Sequence, residues 1–195
     1  MSLPLIVGIS GASGAIYGVR LLEILRASKI PAHVIISRSA VQTLKEEMGL
    51  LADKVRALAE EVYSNNDLGA AVSSGSFKTR GMIVIPCSIR TLSDIAYGDT
   101  DTLVSRAADV TLKERRRLVL VVRETPLHAG HLRSMMAATE NGAIIMPPVP
   151  AFYHKPKTID DIVNQTVGRA LDLFDIDAGI VKRWRSAKPL REDEE

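Results

Sequence analysis

Five short apolar segments, alternating with stretches of helical periodicity, constrain the fold of this 195-residue chain more than any other feature. They cover residues 5–9, 33–36, 82–85, 118–122 and 143–146. Apolar residues fill them continuously, which is typical of parallel strands covered by helices on both faces. Stretches such as 15–28 and 159–174 instead carry apolar residues at helical spacing. The sequence therefore predicts a three-layer α/β protein with a mostly parallel sheet.

No linker-like segment and no internal repeat divides the chain, and its length suits one domain. We expect a single domain at residues 1–187, followed by a flexible acidic tail at residues 188–195. No apolar stretch approaches the roughly 20 residues of a membrane span, and the first residues lack the pattern of a signal peptide. A lone cysteine, Cys87, excludes an internal disulfide and suits a reducing compartment, so we expect a cytoplasmic protein.

The charge balance gives no sign of a nucleic-acid partner. The formal net charge is +2, and the basic run at residues 113–117 contains no aromatic side chains on which bases would stack. Such runs are usually solvated surfaces, so we expect no nucleic-acid binding.

A glycine-rich turn, Gly8-Ile-Ser-Gly-Ala-Ser-Gly14, joins the first predicted strand to the first predicted helix. Such a turn leaves backbone amides unpaired at the positive end of a helix, where a phosphate binds favourably. Ser10 and Ser13 can add hydroxyl donors there. A tight turn that needs glycine only for packing is the alternative interpretation of this motif alone.

The spacing of these glycines favours a mononucleotide. It is G-x-x-G-x-x-G, which differs from the G-x-G-x-x-G of dinucleotide binders and lacks the Gly-Lys-Ser/Thr ending of ATP-binding loops. Ser37 and Arg38 directly follow the second predicted strand, where an NAD enzyme usually has an acidic residue for the ribose. FMN in a Rossmann-like (flavodoxin-like) fold fits these features better. Cys87 has no histidine partner nearby, so we expect a buried structural residue.

Longer motifs carry a more specific signal. In the first half of the chain, residues 8–18 read GISGASGAIYG, residues 73–77 read SSGSF and residues 85–92 read IPCSIRTL. In the second half, residues 106–115 read RAADVTLKER, residues 122–127 read VRETPL and residues 147–153 read PPVPAFY. In this order the motifs resemble those of the UbiX flavin prenyltransferases, and the resemblance extends over residues 5–174.

This resemblance implies a reaction in which reduced FMN is alkylated at N5 and C6 by dimethylallyl phosphate. The product, prenylated FMN, serves UbiD-type decarboxylases. The resemblance also implies a metal-independent homododecamer with active sites between subunits. It leaves open the length of the prenyl donor and whether the donor is a monophosphate or a diphosphate.

The matched motifs also imply site residues. The residues expected to hold FMN are Gly11, Ala12, Ser13, Ser37, Ser88, Ile89, Arg90, Thr91 and Arg123. The residues expected to hold dimethylallyl phosphate are Tyr153, Arg169 and Lys113. The residues expected to take part in catalysis are Glu124, Glu47, Lys113 and Trp184.

Their side chains suit the implied chemistry. Lys113, Arg123 and Arg169 would supply the positive charge that a departing phosphate needs, and aromatic rings would shelter an allylic cation. Burial beside a flavin would raise the pKa of a carboxyl group enough for proton exchange near neutrality. Glu124 is the first candidate for this acid/base role and Glu47 the second, and the residues do not assign the individual steps.

The sequence allows three other interpretations: a metal site, a decarboxylase and an electron carrier. Glu124, His128 and His131 have the spacing of metal ligands on a helix, but Pro126 disfavours a helix through Thr125, so we expect no metal. The two histidines are then polar residues at a helix start. An FMN-dependent decarboxylase of the same fold and a flavodoxin-like electron carrier are alternative functions. A carrier has no need of a second phosphate site.

Overall fold

The computed structural model describes residues 2–184 and places six strands and seven α-helices among them. The strands are Leu5–Ile9 (β1), Ala32–Ile36 (β2), Glu61–Ser64 (β3), Gly81–Cys87 (β4), Arg117–Val122 (β5) and Ile144–Ile145 (β6). The helices are Ala15–Ala27 (α1), Arg38–Met48 (α2), Ala52–Arg56 (α3), Ile89–Tyr97 (α4), Leu103–Lys113 (α5), Ala129–Glu140 (α6) and Ile159–Asp172 (α7). The predicted acidic tail lies outside the described residues.

The strands form one sheet in the order β3-β2-β1-β4-β5-β6, and every neighbouring pair is parallel. Alternate strand residues face two apolar cores. Helices α1, α2 and α7 cover one face of the sheet, and α4, α5 and α6 cover the other. This is the strand order of the Rossmann fold, and it confirms the predicted three-layer α/β architecture.

The sequence-based strand predictions were correct where strands are buried. β1, β2, β4 and β5 match predicted segments to within two residues and are almost entirely buried. β3 was not predicted, because it is an edge strand whose residues are mostly exposed and partly polar. The segment at 143–146 contributes only the two paired residues of β6.

The starts of the helices follow local capping chemistry. Ser37 caps α2 and Ser88 caps α4 through their hydroxyl oxygens. Thr158 caps α7 as predicted, and Asp161 completes a reciprocal capping box with it. Gly14 stands before α1 with a φ of 98°, a left-handed conformation that favours glycine. Within residues 2–184, no helix has both the length and the apolar character that crossing a membrane requires.

Candidate active site

Three helix starts meet at one edge of the sheet. α1, α2 and α4 begin just after β1, β2 and β4, which are adjacent strands of a parallel sheet. The order of the strands reverses between β1 and β4, and ligands of open α/β sheets bind at such a switch point. Their capping positions are Gly14, Ser37 and Ser88. We call this region the flavin edge.

Ser10 links the turn that follows β1 to the end of β4. Its hydroxyl donates to the Pro86 carbonyl at 2.9 Å and accepts from the Ser88 amide at 2.8 Å. Ser10 is buried, so its donor is used inside the protein. The prediction that this hydroxyl serves a phosphate was therefore wrong. The hydroxyls of Ser13, Ser37 and Thr91 lie nearer the surface of the same edge.

Glu47 occupies the start of α1. Its carboxylate accepts the amide of Gly14 at 2.9 Å and the amide of Ala15 at 3.0 Å. The prediction that these helix-start amides are open to a phosphate was wrong for the free protein, because an internal anion already pairs with them. Glu47 itself was predicted as a site residue, and the structure places it at the flavin edge.

The ionisation of Glu47 differs from the prediction. Burial raises its pKa, but hydrogen bonds from the Ser13 hydroxyl and from the amides of Gly14 and Ala15 outweigh that effect, and the positive charge of Arg123 adds to them. The pKa of Glu47 is therefore lowered, and the side chain is an anion at neutral pH. A raised pKa was expected because the helix-start amides were not assigned to this carboxylate.

Arg123 and Glu124 follow directly after β5. The Arg123 amide donates to the Cys87 carbonyl at 3.0 Å, which fixes this turn beside the end of β4. The Glu124 carboxylate accepts the Thr125 amide at 3.0 Å. Both side chains are exposed in the single chain. Since Arg123 acts on the pKa of Glu47, this turn belongs to the flavin edge.

Cys87 ends β4 and is fully buried. Burial, with a smaller effect of Asp94, raises the pKa of its thiol far above the usual range. Such a thiol stays protonated and unreactive. The prediction of a buried structural cysteine is confirmed.

A second group of predicted residues lies along α7. The Tyr153 hydroxyl oxygen accepts a hydrogen bond from Gln165 at 2.8 Å. The rings of Tyr153 and Trp184 meet edge to face, with their centroids 5.4 Å apart. Arg169, one turn after Gln165, forms an ion pair with Asp172 at 2.6 Å. We call Tyr153, Trp184 and Arg169 the α7 group.

Lys113 lies apart from both the flavin edge and the α7 group. It ends α5, four residues before β5 begins, whereas Arg123 follows the end of β5. A six-residue strand spans about 20 Å, so the two cations lie at opposite edges of the sheet. Lys113 lines an open groove with Tyr97 and Asn141, and Arg169 lines a separate depression.

A single chain therefore does not bring Lys113, Arg123 and Arg169 into one cavity. The expectation that they share a pocket is wrong for the isolated chain. The reason is topological, because a helix that precedes a parallel strand ends at the edge opposite to the carboxyl end of that strand.

The segment at residues 73–77, which carried part of the resemblance but no assigned role, lies beside Lys113. A Cβ atom at Gly75 would be 2.2 Å from a Glu114 carboxylate oxygen and 2.7 Å from the Lys113 ammonium nitrogen, so a larger residue there would displace these two side chains. Arg116 donates to the carbonyls of Gly75 and Phe77, each at 2.7 Å. Part of the basic run thus holds this segment against Lys113. The signal that could have indicated this contact is the SSGSF motif, which formed part of the resemblance but received no role in the sequence analysis.

The histidines of the rejected metal set have a structural role. His128 caps α6, and its Nδ1 accepts the Gly130 amide at 3.0 Å. The ring of His131 stacks over it, with the centroids 3.6 Å apart. Among residues 2–184, no three or more acidic, histidine or cysteine side chains are arranged to hold a metal ion.

Hydroxyl-capped helix starts at the switch point of a Rossmann-like sheet define a nucleotide-binding α/β protein. The sequence model of the family described as "Flavoprotein" matches residues 2–171. Over 186 residues the chain is 58% identical to flavin prenyltransferase UbiX of Salmonella typhimurium, covering 94% of this chain and 98% of the relative. The chain belongs to the UbiX flavin prenyltransferase family.

Solved structures agree with this assignment. AnUbiX (PadA1), in complex with FMN and dimethylallyl pyrophosphate, superposes with a TM-score of 0.94 at 50% identity, covering 96% of this chain and 100% of AnUbiX. A dodecameric FMN-dependent UbiX-like decarboxylase from Escherichia coli O157:H7 superposes with a TM-score of 0.91 at 48% identity, covering 93% of this chain and 99% of the other.

Proposed function

We propose that this chain is a flavin prenyltransferase, which alkylates reduced FMN at N5 and C6 with dimethylallyl phosphate. The product is prenylated FMN, the cofactor of UbiD-type decarboxylases. The observation that carries this proposal is the nearly full-length relationship to UbiX flavin prenyltransferases, together with the superposition on AnUbiX bound to FMN and a prenyl donor.

The flavin edge fits FMN. It offers the hydroxyls of Ser37 and Thr91, the amides at the starts of α2 and α4, and the guanidinium of Arg123. The Ser13 hydroxyl donates to Glu47 in the free protein and would have to turn toward FMN. Hydroxyls, helix-start amides and arginine are the usual partners of a phosphate monoester. Because Glu47 already pairs with the start of α1, the FMN phosphate is better received at α2 and α4. The residues proposed to hold FMN are Gly11, Ala12, Ser13, Ser37, Ser88, Ile89, Arg90, Thr91 and Arg123.

Tyr153, Arg169 and Lys113 are proposed to hold the prenyl donor, with Tyr153 and Arg169 binding its phosphate. Trp184 is proposed to take part in catalysis. Because these residues lie away from the flavin edge of their own chain, a complete site requires more than one subunit. The dodecameric assembly of the UbiX-like neighbour supports a homododecamer here. Large apolar side chains exposed on the single chain, such as Met136, Val149 and Phe152, are suited to such contacts.

The reaction defines what the side chains must do. Forming the two new bonds releases phosphate from the donor and a proton from N5, and it exchanges the proton of C6 for one on the alkene of the donor. Lys113, Arg123 and Arg169 stabilise the departing phosphate. Glu124 is the proposed group that takes and gives protons, since among residues 2–184 its exposed carboxylate accepts only the amide of the adjacent Thr125. Glu47 is the second candidate and starts as an anion.

One incubation tests the proposal. Purified protein is mixed with FMN, a reductant and dimethylallyl phosphate, and the flavin is weighed by mass spectrometry. A gain of one five-carbon prenyl unit is expected. Decarboxylation of an aromatic acid by this protein alone, or a flavin that only cycles between redox states, would contradict the proposal. Parallel reactions with the diphosphate show which donor is used.

Two further proposals concern the whole chain. We propose that residues 1–187 form one domain, which is supported by the continuous sheet and cores of the described part. We propose a cytoplasmic location, which is supported by the single buried cysteine and a reaction that needs reduced flavin.

A further inference from the structure

Gln165 is a polar side chain buried in the middle of α7, and it was not singled out in the sequence. It is only 4% exposed. Its amide makes three hydrogen bonds. Nε2 donates to the Tyr153 hydroxyl oxygen at 2.8 Å and to the Lys182 carbonyl at 3.1 Å, and Oε1 accepts the Lys182 amide at 3.0 Å.

The two bonds to Lys182 fix the orientation of the Gln165 amide. A backbone N–H can only donate and a backbone carbonyl can only accept. Turning the amide over would place Nε2 against the Lys182 N–H and Oε1 against the Lys182 carbonyl, and both bonds would be lost. Leaving buried polar groups unpaired is costly. The amide therefore keeps its two hydrogens on the side of Tyr153 and the Lys182 carbonyl.

This orientation determines what the phenol of Tyr153 can do. One N–H of Gln165 is used by the Lys182 carbonyl, and the other points at the phenol oxygen. A phenol has one hydrogen to donate and also accepts. Since the Tyr153 oxygen accepts from Gln165, its own hydrogen must point elsewhere.

We propose that Gln165 is a positioning residue, which directs the hydroxyl hydrogen of Tyr153 toward the phosphate of the prenyl donor. This inference rests on the proposed function. The same amide ties the segment before Trp184 to α7 through Lys182, so it also sets the edge-to-face contact between the Tyr153 and Trp184 rings. One buried side chain thus arranges both aromatic residues of the α7 group.

The Gln165→Glu variant tests whether Gln165 sets the direction of the Tyr153 hydroxyl hydrogen. The carboxylate can still accept the Lys182 amide, but it has no N–H, so the phenol hydrogen turns toward it. We expect the KM for dimethylallyl phosphate to rise about tenfold or more, because a charge-assisted hydrogen bond to phosphate is lost. The Kd for FMN should stay unchanged and kcat should change little. An unchanged KM would overturn the proposal.

Gln165→Met tests whether the effect acts through Tyr153, because it removes the hydrogen bonds without adding charge. We expect it to raise the same KM in the native background and to have no further effect in a Tyr153→Phe background. If Gln165→Met raised this KM by the same factor in the native and the Tyr153→Phe backgrounds, the proposal would be overturned. Thr166→Val is the matched control. Thr166 is similarly buried on α7, and within the described part of the chain its hydroxyl bonds only to the Ile162 carbonyl, so the KM of the Thr166→Val variant should be native.

Two measurements separate folding and function from this inference. Trp184 is the only tryptophan of the chain, so intrinsic fluorescence reports whether the α7 group keeps its arrangement in each variant. Wild-type protein that yields no prenylated FMN would contradict the proposed function. Wild-type turnover with a native KM in both Gln165 variants would contradict only the role of Gln165.

Discussion

At the scale of single residues, Glu47 shows how one carboxylate can support both folding and the site. It replaces the missing side-chain cap of α1 by accepting two of its first amides. Anionic groups at helix starts stabilise the helix. The same carboxylate accepts a hydrogen bond from the Ser13 hydroxyl, which is proposed to contact FMN.

Glu47→Gln should lower the free energy of unfolding of the ligand-free protein by about 1 kcal/mol, because a neutral amide oxygen interacts more weakly with the positive end of α1 than a carboxylate does. Urea denaturation at fixed protein concentration measures this. Glu46→Gln is the matched control, since the adjacent Glu46 makes only an exposed contact with Gln42. If both variants lost the same free energy of unfolding, the contact between Glu47 and the start of α1 would contribute nothing to stability.

Glu124→Gln should retain FMN but slow prenylation by about a hundredfold, the usual effect of removing an acid/base group. FMN binding by titration and product formation under saturating substrates separate the two effects. Glu140→Gln, at the exposed end of α6, serves as the control. Undiminished turnover of Glu124→Gln would remove this residue from the mechanism.

At the scale of secondary-structure elements, the end of α7 depends on Asp172. This largely buried carboxylate pairs with Arg183 at 2.9 Å and with Arg169 at 2.6 Å. Hydrogen bonds from Arg183 lower its pKa most, and they outweigh the opposing effect of burial, while Arg169 lowers it further. A donor phosphate bound as proposed would share Arg169 with this carboxylate.

Asp172→Asn should therefore destabilise the protein by about 1 kcal/mol at pH 7. Because the folded pKa is lowered, the stabilisation is complete above the ordinary pKa near 4 and is lost as pH falls toward the folded value. Denaturation curves at pH 7 and at pH 3.5 should show the gap between the variant and wild type narrowing. If the difference in stability between Asp172→Asn and the wild type did not change with pH, the charge of Asp172 would not be the source of that difference.

The elements that were predictable from sequence are those with a strong local signal. β1, β2, β4 and β5 are continuous apolar segments, and α7 has a capping pair and an apolar stripe. β3 escaped prediction because its pairing with β2 depends on a neighbour distant in sequence, and its own residues are mostly exposed. Glu47 was identified by its spacing alone. Its contact with the start of α1 could not be predicted, because that contact depends on how α2 packs beside α1 in the folded protein.

At the scale of the whole molecule, the separation of Lys113 from Arg123 is the main departure from the sequence-based site. Motif matching identifies residues but not the chain from which each one reaches a ligand. Topology supplies that information, since the length of β5 separates the two side chains within a subunit. The site then depends on assembly.

Mixed assemblies test this dependence. Lys113→Ala and Arg123→Ala should each abolish most activity alone. Co-expressed with two different tags and purified through both, they should recover up to about a quarter of wild-type activity, because random mixing leaves that share of shared sites with both native groups. Mixtures of each variant with itself are the controls. No recovery would place both groups on one chain.

The buried Cys87 has a practical consequence. Reduced flavins generate peroxide in air, and thiolates are the form of cysteine that peroxide attacks. Here the thiol of the lone cysteine lies one residue before Ser88, a proposed FMN contact, yet burial keeps it protonated. Cys87 is therefore protected from peroxide formed at the flavin, and the rate at which a maleimide labels its thiol would measure how often this part of the core opens.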